Sequence, residues 1–212
     1  MTIDIGANDV LIVVDMQYDF LPGGPLGAPG ADHIIPLINA LATRFANVVL
    51  TQDWHPPGHV SLASSHPGRQ PFETIELSYG PQVLWPDHCL WGTHGAEISA
   101  EIVIPHAQLI IRKGYNRDVD SYSGFQEADR KTHTGLAGYL KERAIDRVFV
   151  TGVATDFCVG WTALDAQSAG LQTAVIEDAT RGIDTNGSMH RAWANMTTAG
   201  INRLQSNDIL AA

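Results

Sequence analysis

The chain has 212 residues and a formal net charge of −10, with 13 Lys and Arg residues against 23 Asp and Glu residues. An acidic chain of this kind argues against nucleic acid or an anionic membrane surface as a partner. Hydrophobic residues make up 44% and charged residues 17% of the sequence, as in a folded globular protein, and the length predicts a single domain spanning residues 1–212.

Apolar, β-rich runs alternate with helical patterns along most of the chain. Strands are predicted at residues 10–14, 48–50, 109–111, 148–150 and 173–176, with a further short strand near residue 201. Helices are predicted at about residues 31–45, 136–143, 156–169 and 188–198. Strands that alternate with helices predict an α/β fold with three α/β/α layers around a central, mostly parallel sheet.

The segment at about residues 52–105 breaks this alternation. It is rich in Pro, Gly, His and Trp and has little periodicity. Because a loop of this length is unusual inside a compact domain and tends to carry function, we expect binding residues there.

The N-terminal residues show no basic segment followed by an apolar core, so no signal peptide is expected. No apolar run approaches the length that spans a bilayer. The two cysteines, Cys89 and Cys158, are therefore expected to be free thiols in a reducing compartment, and a cytoplasmic location is predicted.

The segment FVTGVATDFC at residues 149–158 predicts a strand, a turn and a helix with Cys158 in its first turn. Thr155 or Asp156 would be the N-cap. A thiol near a helix N-terminus is stabilised as thiolate, the nucleophilic form. The alternative is a buried structural cysteine, and this segment alone does not separate the two.

Other reactive side chains also follow predicted strands. Asp15 comes directly after the first strand, Asp53 after the second and Lys113 after the third. Because ligands bind at the carboxyl ends of parallel strands, we expect these residues to meet Cys158 at one edge of the sheet. Asp15 would then accept the thiol proton, and Lys113 would favour both anions. Taken singly, Asp15 is better explained as a loop or cap residue and Lys113 as a solvated charge, and only their combination with the thiol reverses this interpretation.

The irregular segment carries a set of residues suited to a metal. Asp53 and His55 are two residues apart, so an extended backbone points both to one side, and His88 lies beside Trp85. Two histidines and one carboxylate suit a site for Zn, Fe or Mn. Alternatives remain open at this point, because loop residues of the same kinds are also at hand: His59, Ser61, His66, Cys89 and His94.

Five segments together resemble the nicotinamidase branch of the isochorismatase-like cysteine hydrolases. They are VDMQYDF at residues 14–20, TQDWHP at 51–56, WPDHC at 85–89, RKG at 112–114 and GVATDFC at 152–158. The match covers nearly the whole chain in the same order. The thiol segment marks the superfamily, and the pair of loop segments containing Asp53 and His88 points to this branch.

The resemblance implies a catalytic triad of Asp15, Lys113 and Cys158. It implies hydrolysis of nicotinamide to nicotinate and ammonia through a thioester, in NAD salvage, with pyrazinamide as a further substrate. It also implies a cis peptide between Val153 and Ala154, with an oxyanion hole formed by the backbone at Ala154 and Cys158. A non-proline cis bond is rare, so it would be a functional feature.

The resemblance further implies one divalent metal ion, with zinc favoured over iron or manganese. Its ligands would be Asp53, His55 and His88, with Ser61 as a candidate outer ligand. The residues expected to contact the substrate are Phe20, Trp85, Tyr122 and Val153. The expected partner is the small molecule nicotinamide, and the sequence predicts neither a monomer nor an oligomer.

Three other functions are weighed against this one. A hydrolase of the same superfamily acting on a carbamoyl or ureido compound would need no metal. An isochorismatase cleaves a vinyl ether without a nucleophilic cysteine, so Cys158 argues against it. A metal- or redox-sensing binding protein would leave Asp15 and Lys113 without a purpose.

Overall fold

A computed structural model describes residues 2–211. Eight strands are formed, with the bounds β1 Asp9–Val14, β2 Asn47–Asp53, β3 Thr74–Leu77, β4 Gly80–Val83, β5 Leu109–Lys113, β6 Arg147–Val153, β7 Gln172–Arg181 and β8 Asn202–Leu204. Six of them form one sheet in the order β5-β2-β1-β6-β7-β8, and each neighbouring pair is parallel. The remaining two, β3 and β4, form an antiparallel hairpin.

Helices cover both faces of the sheet. They are α1 Ile35–Ala42, α2 Leu136–Glu142, α3 Gly160–Ser168, α4 Ser188–Thr198 and α5 Asn207–Leu210. Alternate residues of β1 enter different cores: Leu11 and Val13 pack with α1, whereas Val10 and Ile12 pack with α2 and α3. The predicted three-layer α/β/α fold with a parallel sheet is confirmed.

The predicted elements exist, but their bounds differ. The helix expected at residues 31–45 is reduced to α1, because a tight 3-10 turn, Asp32–Ile34, precedes it and Pro36 lies in its first turn. The last strands were harder to predict: β7 runs ten residues, beyond the apolar run at 173–176, and the strand near residue 201 lies at Asn202–Leu204. Pairing with β6 carries β7 on to Thr180 and Arg181, and pairing with β7 makes a strand of the mostly polar run Asn202–Leu204.

The irregular segment is mostly loop, as predicted, but it also contains the β3–β4 hairpin, which was not predicted. Its strands are four residues each and mostly exposed or half-buried, so they lack an apolar run.

Within residues 2–211, no helix combines the length and the apolar character needed to cross a membrane.

Candidate active site

Three reactive side chains from separate strand ends meet in one buried cluster. Asp15 follows β1, Lys113 ends β5, and Cys158 lies in the turn after β6. The Lys113 Nζ atom lies 2.8 Å from Asp15 Oδ2 and 3.4 Å from Cys158 Sγ. Asp15 and Lys113 are fully buried, and Cys158 is 6% exposed at the wall of a cavity. The structure therefore brings together the carboxylate, ammonium and thiol that the strand ends predict.

Asp15 is held in place by β2. Its backbone is left-handed, with φ of 47°, and its N–H donates to Thr51 Oγ1 at 3.2 Å. The Thr51 hydroxyl in turn donates to Asp15 Oδ1 at 2.6 Å. One carboxylate oxygen thus accepts from Thr51 while the other faces Lys113, which fixes the orientation of the group.

The chain approaches β1 very closely just before the thiol. At Gly152 a Cβ atom would lie 2.1 Å from the carbonyl oxygen of Val14, and φ is 103°, so only glycine fits. The following peptide bond, between Val153 and Ala154, is cis, as the resemblance implies.

The helix carrying Cys158 begins with a wide π-helical turn, Thr155–Val159, which precedes α3. The predicted N-cap is wrong, because Ala154 holds that position and no side chain caps the turn. The Asp156 carboxylate instead accepts hydrogen bonds from residues 183, 184 and 188. The N–H of Val159 donates to the Ala154 carbonyl at 3.0 Å, spanning the wide turn.

The thiol does not have the lowered pKa expected from a helix terminus and an ammonium. Burial raises the pKa of Cys158 well above its usual range, and Lys113 offsets only part of this. Burial likewise raises the pKa of Asp15 despite the Lys113 charge. For Lys113, burial favours the neutral amine, but Asp15 and Asp53 raise its pKa overall. The resting site therefore holds a protonated thiol beside a carboxyl group that binds a proton more tightly than a solvated aspartate.

The predicted metal ligands also converge. Asp53 Oδ2 lies 3.0 Å from His55 Nε2 and 3.3 Å from His88 Nε2, and one ligand atom from each residue lies within 4.8 Å of the other two. Asp53 is the last residue of β2. His88 reaches the site because residue 55 pairs with Leu90 through an isolated parallel bridge. All three ligand side chains are almost completely buried.

The donor chemistry of this group suits a cation. His55 Nδ1 lies 2.9 Å from the Gly114 carbonyl oxygen, and His88 Nδ1 lies 2.8 Å from that of Pro86. A carbonyl only accepts, so each Nδ1 carries a proton, and the Nε2 atom of each ring faces Asp53. Two imidazole nitrogens and a carboxylate oxygen converge on one point, where they favour a positive charge: a proton on His55, whose pKa is lowered by burial but raised overall by Asp53, or a metal ion that takes its place. These residues therefore fit a divalent metal ion.

His59 and Ser61 lie next to this group. His59 Nδ1 is 2.7 Å from Ser61 Oγ, and His59 Nε2 is 3.2 Å from the Val119 carbonyl oxygen. Burial, assisted by the charge at His55, lowers the pKa of His59 to about 4, so its imidazole is neutral at pH 7. His55, His59 and Asp120 form a second cluster of potential ligand atoms.

The other loop residues considered as ligands have different surroundings. His66 Nε2 lies 2.8 Å from the Val60 carbonyl oxygen, and the His94 side chain is exposed beside Glu97. Cys89 is buried, and its sulfur accepts from the Gln17 side chain at 3.3 Å. The structure therefore brings His55 and His88 to Asp53, rather than these alternatives.

Lys113 and Gln17 connect the triad cluster to the metal-ligand cluster. Lys113 Nζ, besides facing Asp15, lies 3.1 Å from Asp53 Oδ1. The Gln17 amide donates to the Asp53 carbonyl at 2.8 Å and accepts from the Asp53 N–H at 2.7 Å. Burial raises the pKa of Asp53, but His55 and Lys113 outweigh it and hold that pKa well below the usual range. Asp53 is therefore an anion shared by both clusters.

A small cavity lies between the two clusters and is lined by Cys158 from one of them and by Asp53, His55 and His88 from the other. Its wall includes residues predicted from the sequence, namely Phe20, Asp53, His55, Trp85, His88, Tyr122, Ala154 and Cys158. Trp85 Nε1 donates to the Tyr122 hydroxyl at 3.0 Å, which locks these two aromatic side chains together. Val153, predicted to contact substrate, is fully buried and packs in the hydrophobic core instead of on the cavity wall.

Four further residues line the cavity and were not predicted to do so: Leu26, Asp120, Phe157 and Ile183. Ile183 follows the true end of β7, so the strand-end rule would have found it if the length of β7 had been known. Leu26 and Asp120 come from loops, where sequence periodicity gives no signal.

Comparisons with known proteins agree with this geometry. A nicotinamidase from Acinetobacter baylyi is 60% identical over 203 residues, covering 96% of this chain and 95% of that protein. The solved structure of an Acinetobacter baumanii nicotinamidase and pyrazinamidase is 62% identical, has a TM-score of 0.95 and covers 96% of this chain and 98% of that one. A pyrazinamidase from Pyrococcus horikoshii, solved in complex with zinc, is 37% identical with a TM-score of 0.76 and covers 93% and 99% of the two chains.

A family model also matches almost the whole chain. The model, described as an isochorismatase domain, matches residues 9–208. This range includes all eight strands and both side-chain clusters of the cavity. The chain belongs to the isochorismatase family.

Proposed function

We propose that this chain is a nicotinamidase, which hydrolyses nicotinamide to nicotinate and ammonia. The observation that carries the proposal is that Cys158, which contacts the buried Asp15–Lys113 pair, lines the same small cavity as Asp53, His55 and His88. High identity to a nicotinamidase over nearly all of both chains supports the same substrate. The activity would belong to NAD salvage.

The proposed acylation step uses the protonated thiol of the resting site. Asp15 takes the proton from Cys158 Sγ as the sulfur attacks the carboxamide carbon, and Lys113 stabilises the resulting charges. Backbone N–H groups near Ala154 and Cys158 would stabilise the oxyanion, an effect of ~10²–10³ in rate per donor in other enzymes. Asp15 then gives its proton to the amide nitrogen, the C–N bond breaks, and ammonia leaves a thioester on Cys158.

Hydrolysis of the thioester uses the same groups in a second cycle. Asp15 accepts a proton from water while the water oxygen attacks the acyl carbon. The C–S bond then breaks, and the proton returns to the Cys158 sulfur, so the free thiol is regenerated and nicotinate is released. The raised pKa of Asp15 suits this role because the group must accept and return a proton in both cycles.

Substrate orientation is assigned to the aromatic residues of the cavity and to the metal-ligand cluster. Phe20 and Trp85 would hold the two faces of the pyridine ring, and Tyr122 supports Trp85 through its hydroxyl. Asp53, His55 and His88 would hold one divalent ion, which when bound supplies a Lewis acid for the ring nitrogen. The donor set accepts zinc, iron or manganese. Zinc is proposed because a 37%-identical relative was solved in complex with it.

Pyrazinamide is proposed as a second substrate. It carries the same carboxamide on an aromatic ring with nitrogen in the corresponding position. A relative with 62% identity is described as both a nicotinamidase and a pyrazinamidase.

The test is ammonia release by purified protein, with metal analysis of the same sample. Nicotinamide should be deamidated by protein containing about one divalent ion per chain, and a chelator should abolish turnover until zinc is added back. Benzamide, which lacks the ring nitrogen, is the matched control and should react far more slowly. Metal-loaded protein that releases no ammonia from nicotinamide would overturn the proposal. Metal-independent turnover of a ureido compound would favour the carbamoyl-hydrolase alternative.

A further inference from the structure

Asp156 is a buried carboxylate in the nucleophile segment that the proposed reaction does not use. It lies two residues before Cys158 and is 7% exposed. Its Oδ1 atom accepts from the Ile183 N–H at 3.0 Å, and Oδ2 accepts from the Asp184 N–H at 2.8 Å and the Ser188 hydroxyl at 2.5 Å. The side chain therefore points away from its own turn and binds the segment between β7 and α4.

The two segments that Asp156 joins both line the substrate cavity. Ala154, Phe157 and Cys158 line the cavity from the nucleophile turn, and Ile183 lines it from the other segment. Ile183 therefore has two contacts: its N–H binds Asp156, and the same residue lines the cavity. A shift of this hydrogen bond would move Ile183 relative to Cys158.

The second segment is fitted tightly against the carboxylate. At Gly182 a Cβ atom would lie 2.9 Å from Asp156 Oδ1 and 2.1 Å from Met189 Sδ, so a side chain would push the segment off. Asp184 has a left-handed backbone, with φ of 54°, which a non-glycine residue adopts only at a cost. The hydrogen bonds to Asp156 offset this cost and hold the segment in place.

We propose that Asp156 is a positioning residue that sets the width of the substrate cavity by tying Ile183 to the nucleophile turn. The inference rests on the proposed function for its substrate. An asparagine at this position has one acceptor oxygen where the carboxylate has two. Its NH₂ group would therefore face either the Ile183 N–H or the Asp184 N–H, and one side of the connection would open. The fit around the ring, rather than the chemistry of the thiol, is then the first property to change.

The experiment compares Asp156→Asn with Asp184→Asn, which makes the same change at an exposed position of the same loop. Steady-state kinetics are measured with nicotinamide and with 5-methylnicotinamide. Asp156→Asn should raise KM for nicotinamide roughly tenfold, with a smaller change in kcat. The ratio of kcat/KM for nicotinamide to kcat/KM for 5-methylnicotinamide should fall by a similar factor, which is the scale of one methyl group in an apolar pocket. Asp184→Asn should stay within about twofold of the wild type on both measures.

Two more variants separate positioning from stability. Ile183→Ala enlarges the cavity while leaving Asp156 and its hydrogen-bond donors intact, so it should reproduce the relaxed preference. Ser188→Ala removes a single donor, and should give a smaller change of the same kind if Asp156→Asn does not fold. A preference that relaxes in Ile183→Ala but is unchanged in Asp156→Asn or Ser188→Ala would overturn the inference. So would an Ile183→Ala variant with wild-type preference.

A measurement that needs no turnover keeps this inference distinct from the proposed function. The rates at which iodoacetamide and the bulkier N-phenyl iodoacetamide alkylate Cys158 are followed by peptide mass spectrometry. Asp156→Asn should narrow the difference between the two rates, and Asp184→Asn should not. If the wild type fails to deamidate nicotinamide, the proposed function is lost, but this ratio still tests Asp156; an unchanged ratio would contradict the positioning role.

Discussion

The two clusters that border the cavity are built on different kinds of backbone. Asp15, Lys113 and Cys158 stand at or just beyond the ends of three parallel strands, whose registers fix where the side chains meet. His55 and His88 come from an irregular segment and are joined through an isolated bridge and hydrogen bonds to backbone carbonyls. In the proposed function, the sheet supplies the reactive groups and the loop supplies the groups that select the substrate.

Asp53 is where these two regions meet. One carboxylate oxygen faces Lys113 of the triad, and the other faces the two histidines. Because the lysine is fully buried between Asp15 and Asp53, neither cluster can lose its charge without affecting the other. The difference between the regions therefore lies in their chemistry and their backbone, while their electrostatics are shared.

The largest expected effect on turnover comes from a substitution in the triad cluster alone. Cys158→Ala should reduce ammonia release from nicotinamide by at least roughly 10³-fold, the scale at which nucleophile deletions act in other hydrolases, because no thioester can form. Metal content and thermal stability should remain close to wild type. Cys89→Ala is the matched control and should keep most of kcat. Near-normal turnover by Cys158→Ala would remove the nucleophile assignment.

A lysine variant tests whether the two regions share their charge. Lys113→Met keeps the length of the side chain but leaves two buried carboxylates facing each other, so the free energy of unfolding should fall by ~3–5 kcal/mol. Urea denaturation measures this loss, and both turnover and metal affinity should drop in the same variant. A fully stable Lys113→Met protein with normal metal affinity would mean that the clusters are independent.

A histidine variant should affect the loop side selectively. His88→Ala removes a proposed metal ligand, so metal affinity should fall by more than the ~10–100-fold typical of an outer-shell residue, and KM for nicotinamide should rise. The rate of Cys158 alkylation in the absence of substrate should change little. His66→Ala, a histidine in the same irregular segment but outside the cluster, serves as the control. Full metal retention by His88→Ala would mean that another residue is the ligand.

The smallest effect is expected from the residue that orients Asp15. Thr51→Val keeps the side-chain shape but removes both hydrogen bonds with Asp15: the 2.6 Å bond to Oδ1 and the 3.2 Å bond from the Asp15 N–H. Turnover should fall roughly 5- to 100-fold, corresponding to ~1–3 kcal/mol for two hydrogen bonds, with KM nearly constant. An effect on KM instead of kcat would indicate that Thr51 supports the substrate wall.

The contrast between strand-end residues and residues of the irregular segment also explains how much could be predicted from the sequence. The parallel sheet and the strand-end residues Asp15, Asp53 and Lys113 could be predicted, because apolar runs locate strands and parallel strands align their ends. The hairpin over residues 74–83 could not, because its short, exposed strands lack an apolar pattern. Spacing alone left the choice between His88 and the other loop histidines open, and the resemblance was needed to make it.

Two local expectations failed because they ignored the surroundings. The helix terminus predicts a lowered thiol pKa at Cys158, but burial outweighs both the terminus and Lys113 and raises it. Asp156 has the right residue type for an N-cap, yet it binds Ile183 and its neighbours from a distant part of the chain. Long-range packing determines both outcomes, and no single segment of the sequence encodes it.

The measurement that tests the central claim most directly is mass spectrometry of metal-loaded protein quenched during turnover of nicotinamide. An acyl group from nicotinamide should be found on the peptide containing Cys158, and it should disappear when the substrate is exhausted. Its absence from that peptide while ammonia is still being released, or its presence on Cys89 instead, would contradict the account.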